Sequence, residues 1–439
     1  MLRLPIATVG FIDDYCLLYR SKFEDVRSYE CFKCLHVGIV SELPRKTLPK
    51  IAKLNGLKDG QSLHHFLRDS PWEVEQVRAI RLHLIQQQIG RRPMSLCIDE
   101  TGDVKKGEAT DYVAKQYIIN LGKTENGMVS VNAYAVVENI TYPLLFKIYK
   151  PKSRLKANDE YQSKPQLAVQ LIQEIQALGF VIERVLADSL YGESSAVIYT
   201  LEKLQLPYIV AIRSNHGVLM TKGQRVRYNR WHAYDQPLSK HPSERRYIRE
   251  IIFGHRREVR YYQITKGSTD NPDRADSWFI MTNLTGEILL SIATQYSLRM
   301  WIEYGFKQVK YELGWHDYRL TNYRSIERWW ELVFSAYLLV SLHTEQFKHH
   351  QDPKSTAADS TPQPLPFRQH SQWESGITWK SALNNLRLLL QPYWCWGMLD
   401  VWLQVFPTPG LKRGLHQLIE CMDTFPILPI LEQTTAHVA

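Results

Sequence analysis

Residues 181–212 read VIERVLADSLYGESSAVIYTLEKLQLPYIVAI. The apolar, β-branched run from Val181 to Ala187 predicts a strand that stops at Asp188, with Gly192 in the turn just after it. Ala196 to Leu204 has helical spacing, and Tyr208 to Ile212 is a second short strand. Upstream, Met94 to Ile98 is another apolar strand, ended by Asp99. Tyr117 to Leu121 and Met128 to Val137 are β-rich around the turn GKTENG, Pro143 to Tyr149 reads as a further strand, and Gln166 to Leu178 as an amphipathic helix. Antiparallel strands followed by alternating strand and helix predict a mixed α/β sheet, whose strand ends are the usual place for reactive groups.

Outward from this core the texture changes. Residues 213–285 are β-rich and basic, with Arg225, Arg227, Arg230, Arg245, Arg246 and Arg249 interleaved with Tyr228, Trp231, Tyr247, Tyr261 and Tyr262. That interleaving suits phosphate contact and base stacking, and otherwise makes a solvated sheet face. Two long helices are expected, near Ile288 to Leu313 and Ser325 to Phe347. Residues 1–90 read as helical. Leu48 to Leu67 is interrupted at Gly56 and Gly60, and Ser70-Pro71 are the expected start of a helix to Ile89. Short helices around a Gly-containing turn fit either a helix-turn-helix DNA binder or a plain bundle. The expected division is a helical DNA-binding region 1–90, core 91–212, basic insertion 213–285, core 286–348, polar linker 349–376 and helical tail 377–439. In the tail, Trp379, Trp394, Trp396 and Trp402 suggest a packed core or partner surface.

The chain has 439 residues, with 54 Lys plus Arg against 45 Asp plus Glu and a formal charge of +9. Hydrophobic residues are 44% and charged residues 23%, which excludes a disordered chain, a collagen or a coiled-coil rod. The basic balance favours a polyanion partner. Six cysteines in a chain this long make no disulfide framework, so a reducing, cytoplasmic setting is expected. Cys31 and Cys34 form one CxxC without a second pair at finger spacing, and ordinary thiols are the favoured reading over a metal site. No signal peptide is recognisable. The longest apolar run, Trp329 to Leu342, falls short of the roughly 18 residues that span a bilayer, so no membrane partner is expected.

Three carboxylates stand out. Strand alternation puts Asp99 and Thr101 on one face and Glu100 on the other; Asp188 ends its own strand. Along the helix expected from Tyr296 to Lys310, Tyr296, Arg299, Glu303 and Lys310 fall at about 0°, −60°, −20° and −40°, one narrow polar face. Acids on separate elements with cations beside them suit two-metal phosphoryl transfer, in which Mg²⁺ takes a few carboxylates together with phosphate oxygens. A salt-bridged solvent face is the bland alternative for the helix.

These residues resemble the DDE transposases of bacterial insertion sequences, in particular the branch with a Tyr-Arg-Glu-Lys signature and a β-rich insertion. The pattern Y-x2-R-x3-E-x6-K is met by Tyr296, Arg299, Glu303 and Lys310. The first-aspartate region (Asp99-Glu100-Thr101-Gly102, Lys105-Lys106-Gly107, Gln116-Tyr117) and Ala187-Asp188-Ser189-Leu190-Tyr191-Gly192 are also similar. The likeness runs over about residues 45–345. It implies an RNase H-like core interrupted by the insertion and flanked by helical N- and C-terminal regions. Asp99, Asp188 and Glu303 would be the catalytic residues and would hold two Mg²⁺, or Mn²⁺, without any organic cofactor. Tyr296, Arg299, Lys310, Lys105 and Lys106 would meet DNA. Trp231 is a candidate for stacking on a displaced base, with a core role the favoured alternative.

The resulting expectation is a nucleoid-associated enzyme that works as a homodimer on double-stranded DNA, both transposon end and target. Water would cut a phosphodiester at the element's end, and the freed 3′-OH would attack the opposite strand or target DNA. Two other readings stay open at this level: an RNase H-like nuclease or junction resolvase without transposition, and a domesticated sequence-specific DNA-binding regulator.

Overall fold

A computed structural model describes residues 4–118, 121–236, 243–349 and 366–426. It divides into two compact units, one of residues 1–90, 109–111 and 306–439, the other of residues 91–108 and 112–305. The first begins with α1 (Gly10–Leu17), α2 (Val26–Val40), α3 (Leu48–Leu54), α4 (Gln61–Arg68) and α5 (Val74–Ile89). The expected start of α5 at Ser70-Pro71 is corrected to Val74. The intervening turn is tied down instead, because the Arg328 guanidinium donates to the carbonyls of Ser70 and Trp72 and stacks 4.5 Å over the Trp72 ring.

Among the described residues the second unit has eleven strands: β1 (Met94–Val104), β2 (Ala114–Ile118), β3 (Lys123–Val137), β4 (Ile140–Ile148), β5 (Ile182–Ala187), β6 (Tyr208–Ile212), β7 (Val226–Tyr228), β8 (His232–Gln236), β9 (Glu244–Phe253), β10 (Arg260–Thr265) and β11 (Ser277–Thr282). They form one sheet in the order β2-β3-β1-β5-β6-β11-β10-β9-β7, with β4 paired to β3 and β8 to β9. The pairs β3–β4, β1–β3 and β2–β3 are antiparallel, while β1–β5 and β5–β6 are parallel. This mixed sheet with flanking helices is the α/β, RNase H-like arrangement expected. The basic insertion does not stand apart from it: β11 pairs antiparallel with β6, so β7 to β11 extend the core sheet.

Helices α6 (Lys164–Ala177), α7 (Ser189–Gly192), α8 (Ser195–Lys203), α9 (Leu289–Ser297) and α10 (Met300–Lys307) complete the connections. Helix α6 packs on β3 and β4, and α9 on β6, β8 and β9. Ser163 and Gln166 form a capping box that starts α6. With helices on its faces, β1 is buried from Met94 to Asp103, which explains why a strand carrying Asp99, Glu100 and Asp103 runs on past Ile98.

The expected helix from Ile288 to Leu313 is broken in two places. Between α9 and α10 the chain tightens, with i to i+3 bonds from Leu298 N to Gln295 O and from Arg299 N to Tyr296 O. After Lys307, residues Gln308–Glu312 form a π-helical turn. The first unit resumes here with α11 (Tyr323–His349), α12 (Trp379–Val405) and α13 (Pro409–Met422). The apolar stretch Trp329 to Leu342 is the buried centre of α11, and among the described residues no helix is long and apolar enough to cross a membrane.

Part of the expected linker, residues 350–365, lies outside the described residues. In residues 366–376 most side chains are exposed, while Phe367 and Trp373 are half-buried, with Trp373 meeting Phe347 and Phe367 at ring separations of 5.7 and 6.2 Å. In the tail Trp379 and Trp394 are buried and Trp402 is exposed.

Candidate active site

Strand register brings the two aspartates together. On the parallel pair β1–β5 the last aligned residues are Ile98 and Ala187, so Asp99 and Asp188 follow side by side. Asp99 does not end its strand, as expected from the sequence. It ends only the parallel pairing, and β1 continues against β3, where Asp99 aligns with Asn132. Asp188 leaves the sheet and caps α7, its Oδ1 accepting the Leu190 N–H at 2.9 Å. The turn is tight because Gly192 approaches β6: a Cβ there would lie 2.1 Å from the Ala211 carbonyl oxygen.

The α9–α10 junction supplies the third acid. Cys97 and Asp99 share a face of β1, and the Cys97 thiol lies 3.7 Å from the Leu298 carbonyl at the break between the helices. Gly305 sits against Tyr134, where a Cβ would come within 2.7 Å of the ring. Arg299 is thereby aimed at Asp99. Its guanidinium donates to Asp99 Oδ2 at 2.5 Å and to Glu303 Oε1 at 3.0 Å, so one cation joins two of the three acids. Tyr296 lies against the same guanidinium and is also within the field of Asp99 and Asp188.

The electrostatics show a site short of positive charge. The Asp99 carboxyl is raised above the ordinary range, by burial first and also by Asp188 and Glu303, while Arg299 beside it acts in the opposite direction. On the opposite face of β1, Glu100 accepts from Lys164 Nζ at 2.8 Å and its carboxyl is raised by burial and by Asp188. Three polar atoms around the aspartates, Glu100 Oε2, Asn132 Oδ1 and the Tyr191 hydroxyl, are buried with no hydrogen-bond partner. Buried groups of this kind are otherwise nearly always satisfied, by protein groups, ordered water or an ion. All-carboxylate donors beside such groups are chemistry that fits a hard divalent ion. Among the described residues no three His, Cys, Asp or Glu side chains already converge as a ligand set. Arg299 engages Asp99 and Glu303, and Asp188 is partly engaged by its cap.

The other residues singled out in the sequence fall elsewhere. The single narrow helical face is corrected: the break at Leu298 and Arg299 and the π turn change the angular spacing. Arg299 and Glu303 pair as an i, i+4 couple, whereas Lys310 is buried within the π turn and belongs to the first compact unit. Trp231 is half-buried in the insertion, donating to the Thr269 carbonyl at 3.0 Å, with the Arg249 guanidinium 4.2 Å over its ring. Lys105 and Lys106 follow the end of β1, the first half-buried and the second exposed. Asn132, Tyr191 and Lys164 were not singled out. Only Lys164 had a usable signal, as a cation opening a capped helix.

Cys31 and Cys34 are thiols on α2, Cys31 with its S–H toward the Ser62 carbonyl, and burial raises them to about 11 and about 12. The nearby His36 is engaged by the Phe32 carbonyl and the Ser335 hydroxyl.

Residues 22–264 match the sequence model of a family described as DDE superfamily endonuclease. That stretch contains Asp99 and Asp188 and ends before Glu303. A curated protein of Microchaete diplosiphon, named "Probable transposase for insertion sequence element IS701", is 52% identical over 326 residues, which is 74% of this chain and 86% of that protein.

Proposed function

The chain belongs to the DDE superfamily of endonucleases, and from that premise we propose that it is the transposase of a bacterial insertion sequence. It cuts DNA at the ends of its element and joins the freed 3′-OH to target DNA. The observation that carries this reading is the Arg299 clamp: one guanidinium held between Asp99 and Glu303, with Asp188 next to Asp99 in strand register. The printed name of the Microchaete relative favours transposition over a structure-directed nuclease or a regulator that only binds DNA.

Asp99, Asp188 and Glu303 are the residues that would hold two Mg²⁺. Bound there, the ions would lower the cost of placing an attacking oxygen and a leaving oxygen on one phosphate. The side chains divide the remaining tasks. Arg299 and Tyr296 offer donors for phosphate oxygens at a place where the acids alone would repel them. Lys164 neutralises Glu100 and keeps that carboxylate on the far face of β1. In the first step a water oxygen bonds to phosphorus as the P–O3′ bond breaks, the proton passing to the departing 3′ oxygen. In the second, that 3′ oxygen bonds to a phosphorus of the target as the target's P–O3′ bond breaks, the hydroxyl proton passing to the departing 3′ oxygen. Helices α1 to α5 would recognise the transposon end, and Trp231, Lys105 and Lys106 are further proposed DNA contacts. The enzyme would act as a homodimer in the cytoplasm, on the nucleoid, since two element ends must be handled together.

The test is a set of isosteric variants. Asp99→Asn, Asp188→Asn and Glu303→Gln should each abolish strand cleavage in Mg²⁺ while duplex binding persists. Full cleavage by any one of them would remove that residue from the site.

A further inference from the structure

Between β4 and α6 the chain runs YKPKSRLKANDEYQSK, residues 149–164, with five cations and two acids. Both ends of this segment are anchored level with the catalytic strand. Ile148, the last residue of β4, aligns with Ser130 of β3, which aligns with Thr101 of β1, two residues beyond Asp99. At the other end Lys164 opens α6 and places its Nζ on Glu100, the neighbour of Asp99.

The segment is ordered from within. Asp159 accepts from the Tyr112 hydroxyl at 2.9 Å, the Lys156 N–H at 2.9 Å and Lys150 Nζ at 2.5 Å. Burial opposes its charge, but those three donors outweigh it and bring the carboxyl down to about 2. Tyr112 is buried in a left-handed backbone conformation, φ +59°, uncommon for a residue with a side chain. That conformation sets a ring under two ammonium groups, with Lys150 Nζ 4.9 Å and Lys156 Nζ 5.5 Å from its centroid. Lys152 stands 4.6 Å over Tyr161, whose ring meets that of Tyr149 edge-on. Aromatic faces of this kind hold an ammonium in place without removing its charge, as for Lys152 and Lys156, whereas Lys150 is also paired with the Asp159 carboxylate. Lys152 and Lys156 are exposed.

We propose that residues 149–164 are a preorganised basic strap that grips the phosphate backbone of duplex DNA beside the catalytic carboxylates. This rests on the reading of Asp99, Asp188 and Glu303 as a DNA phosphoryl-transfer site, and it adds the path by which the scissile strand is brought there. Asp159 is its positioning residue. It fixes where Lys150 and Lys156 stand, and it does not meet DNA itself.

The experiment measures binding of the full-length protein to a short duplex of arbitrary sequence as a function of salt. Each phosphate contact contributes about 0.9 to the slope of log K against log salt. Lys152→Gln with Lys156→Gln should lower the slope by about 1–2, with an unchanged melting temperature, since both side chains are exposed. Asp159→Asn separates ordering from charge. It removes one negative charge, so simple electrostatics calls for tighter binding, whereas a strap released from its anchor should bind several-fold more weakly. An unchanged slope in the double variant, or tighter binding by Asp159→Asn, overturns the strap. The functional reading is read separately, by cleavage of an element-end duplex in Mg²⁺ by the unmodified protein. A changed slope with no such cleavage would sustain the strap and defeat the transposase reading. Cleavage with an unchanged slope would do the reverse.

Discussion

Arg299 bridges Asp99 and Glu303, two of the three acids proposed to hold the divalent ions, and replacing it should separate two properties that normally move together. Its bond to Asp99 is short and well shielded, 2.5 Å with side-chain exposures of 21% and 9%, while Glu303 at the other branch is 48% exposed. A hydrogen bond to a charged group is worth about 1.5–3 kcal/mol when shielded, and an exposed ion pair about 0.5 kcal/mol. The clamp therefore contributes about 2–3 kcal/mol to the protein without metal. Arg299→Gln should lower the melting temperature in chelator by about 4–12 °C, taking about 2–4 °C per kcal/mol for a unit of this size. The same substitution removes the group that competes with a cation for Asp99 and Glu303. Relief of about 1.4 kcal/mol is tenfold in affinity, so Mn²⁺ should bind about 10–100-fold more tightly to the variant. Cleavage should nevertheless fall by about 100–1,000-fold, the usual effect of losing one donor to the developing phosphate charge. Calorimetric titration with Mn²⁺, melting in chelator and strand cleavage read the three quantities independently. If the variant takes up Mn²⁺ no more tightly than the parent, the guanidinium is not a stand-in for the ion. Asp99 and Glu303 then do not belong to one cation site.

Other consequences concern the scaffold. Gly192→Ala would drive a Cβ to within 2.1 Å of the Ala211 carbonyl. It should cost about 1–3 kcal/mol in a denaturant melt and depress cleavage by displacing Asp188. His36 and His343 are buried and held near a pKa of about 4 by burial, below the ordinary value of 6.5. Their neutral forms stabilise the fold fully above about pH 6.5, and that contribution is lost as pH falls towards 4, at up to about 1.4 kcal/mol per pH unit for each. His343→Leu, which also removes the buried, unpartnered Nε2, should halve the fall of the urea midpoint over that range; an identical fall would exclude His343. Arg81→Met strips Glu331 of its fully buried partner but leaves Arg78, so the loss should be about 2–4 kcal/mol by urea titration, short of the cost of an abandoned charge.

What was legible in the sequence had a local cause. Asp99 and Asp188 could be found because each follows an apolar strand whose length and β-branched content are visible, and the register of two parallel strands does the rest. Arg299 and Glu303 were legible as an i, i+4 pair, since that spacing depends on a single turn of helix. The long helix around them was not. Nothing in Tyr296-Ser297-Leu298-Arg299-Met300 is a helix breaker, and no Gly or Pro marks the turn. The break comes with tertiary partners, Cys97 under Leu298 and Tyr134 against Gly305, that lie far away in sequence. The π turn likewise carries no residue signal, and it removes Lys310 from the face that a uniform helix would give it. Asn132 and Tyr191 were invisible for a further reason. A polar residue in a strand or a short helix is unremarkable until the fold buries it without a partner.

The buried charges also bear on when the site is assembled. Three acids gathered without any compensating cation would cost several kcal/mol per buried charge, enough to threaten a marginally stable fold. Here the two buried acids of β1 beside the site each have an internal cation, Arg299 for Asp99 and Lys164 for Glu100, and Glu303 is half exposed. Asp188 has a backbone donor instead. The unit can therefore fold before any divalent ion arrives, in contrast with small metal domains whose folding free energy is their metal affinity. The consequence is a trade: every kcal/mol that Arg299 contributes to the metal-free protein is subtracted from the affinity for the ion. A phosphate that draws the guanidinium away from Asp99 and Glu303 restores that affinity, so DNA and cation should bind with positive coupling.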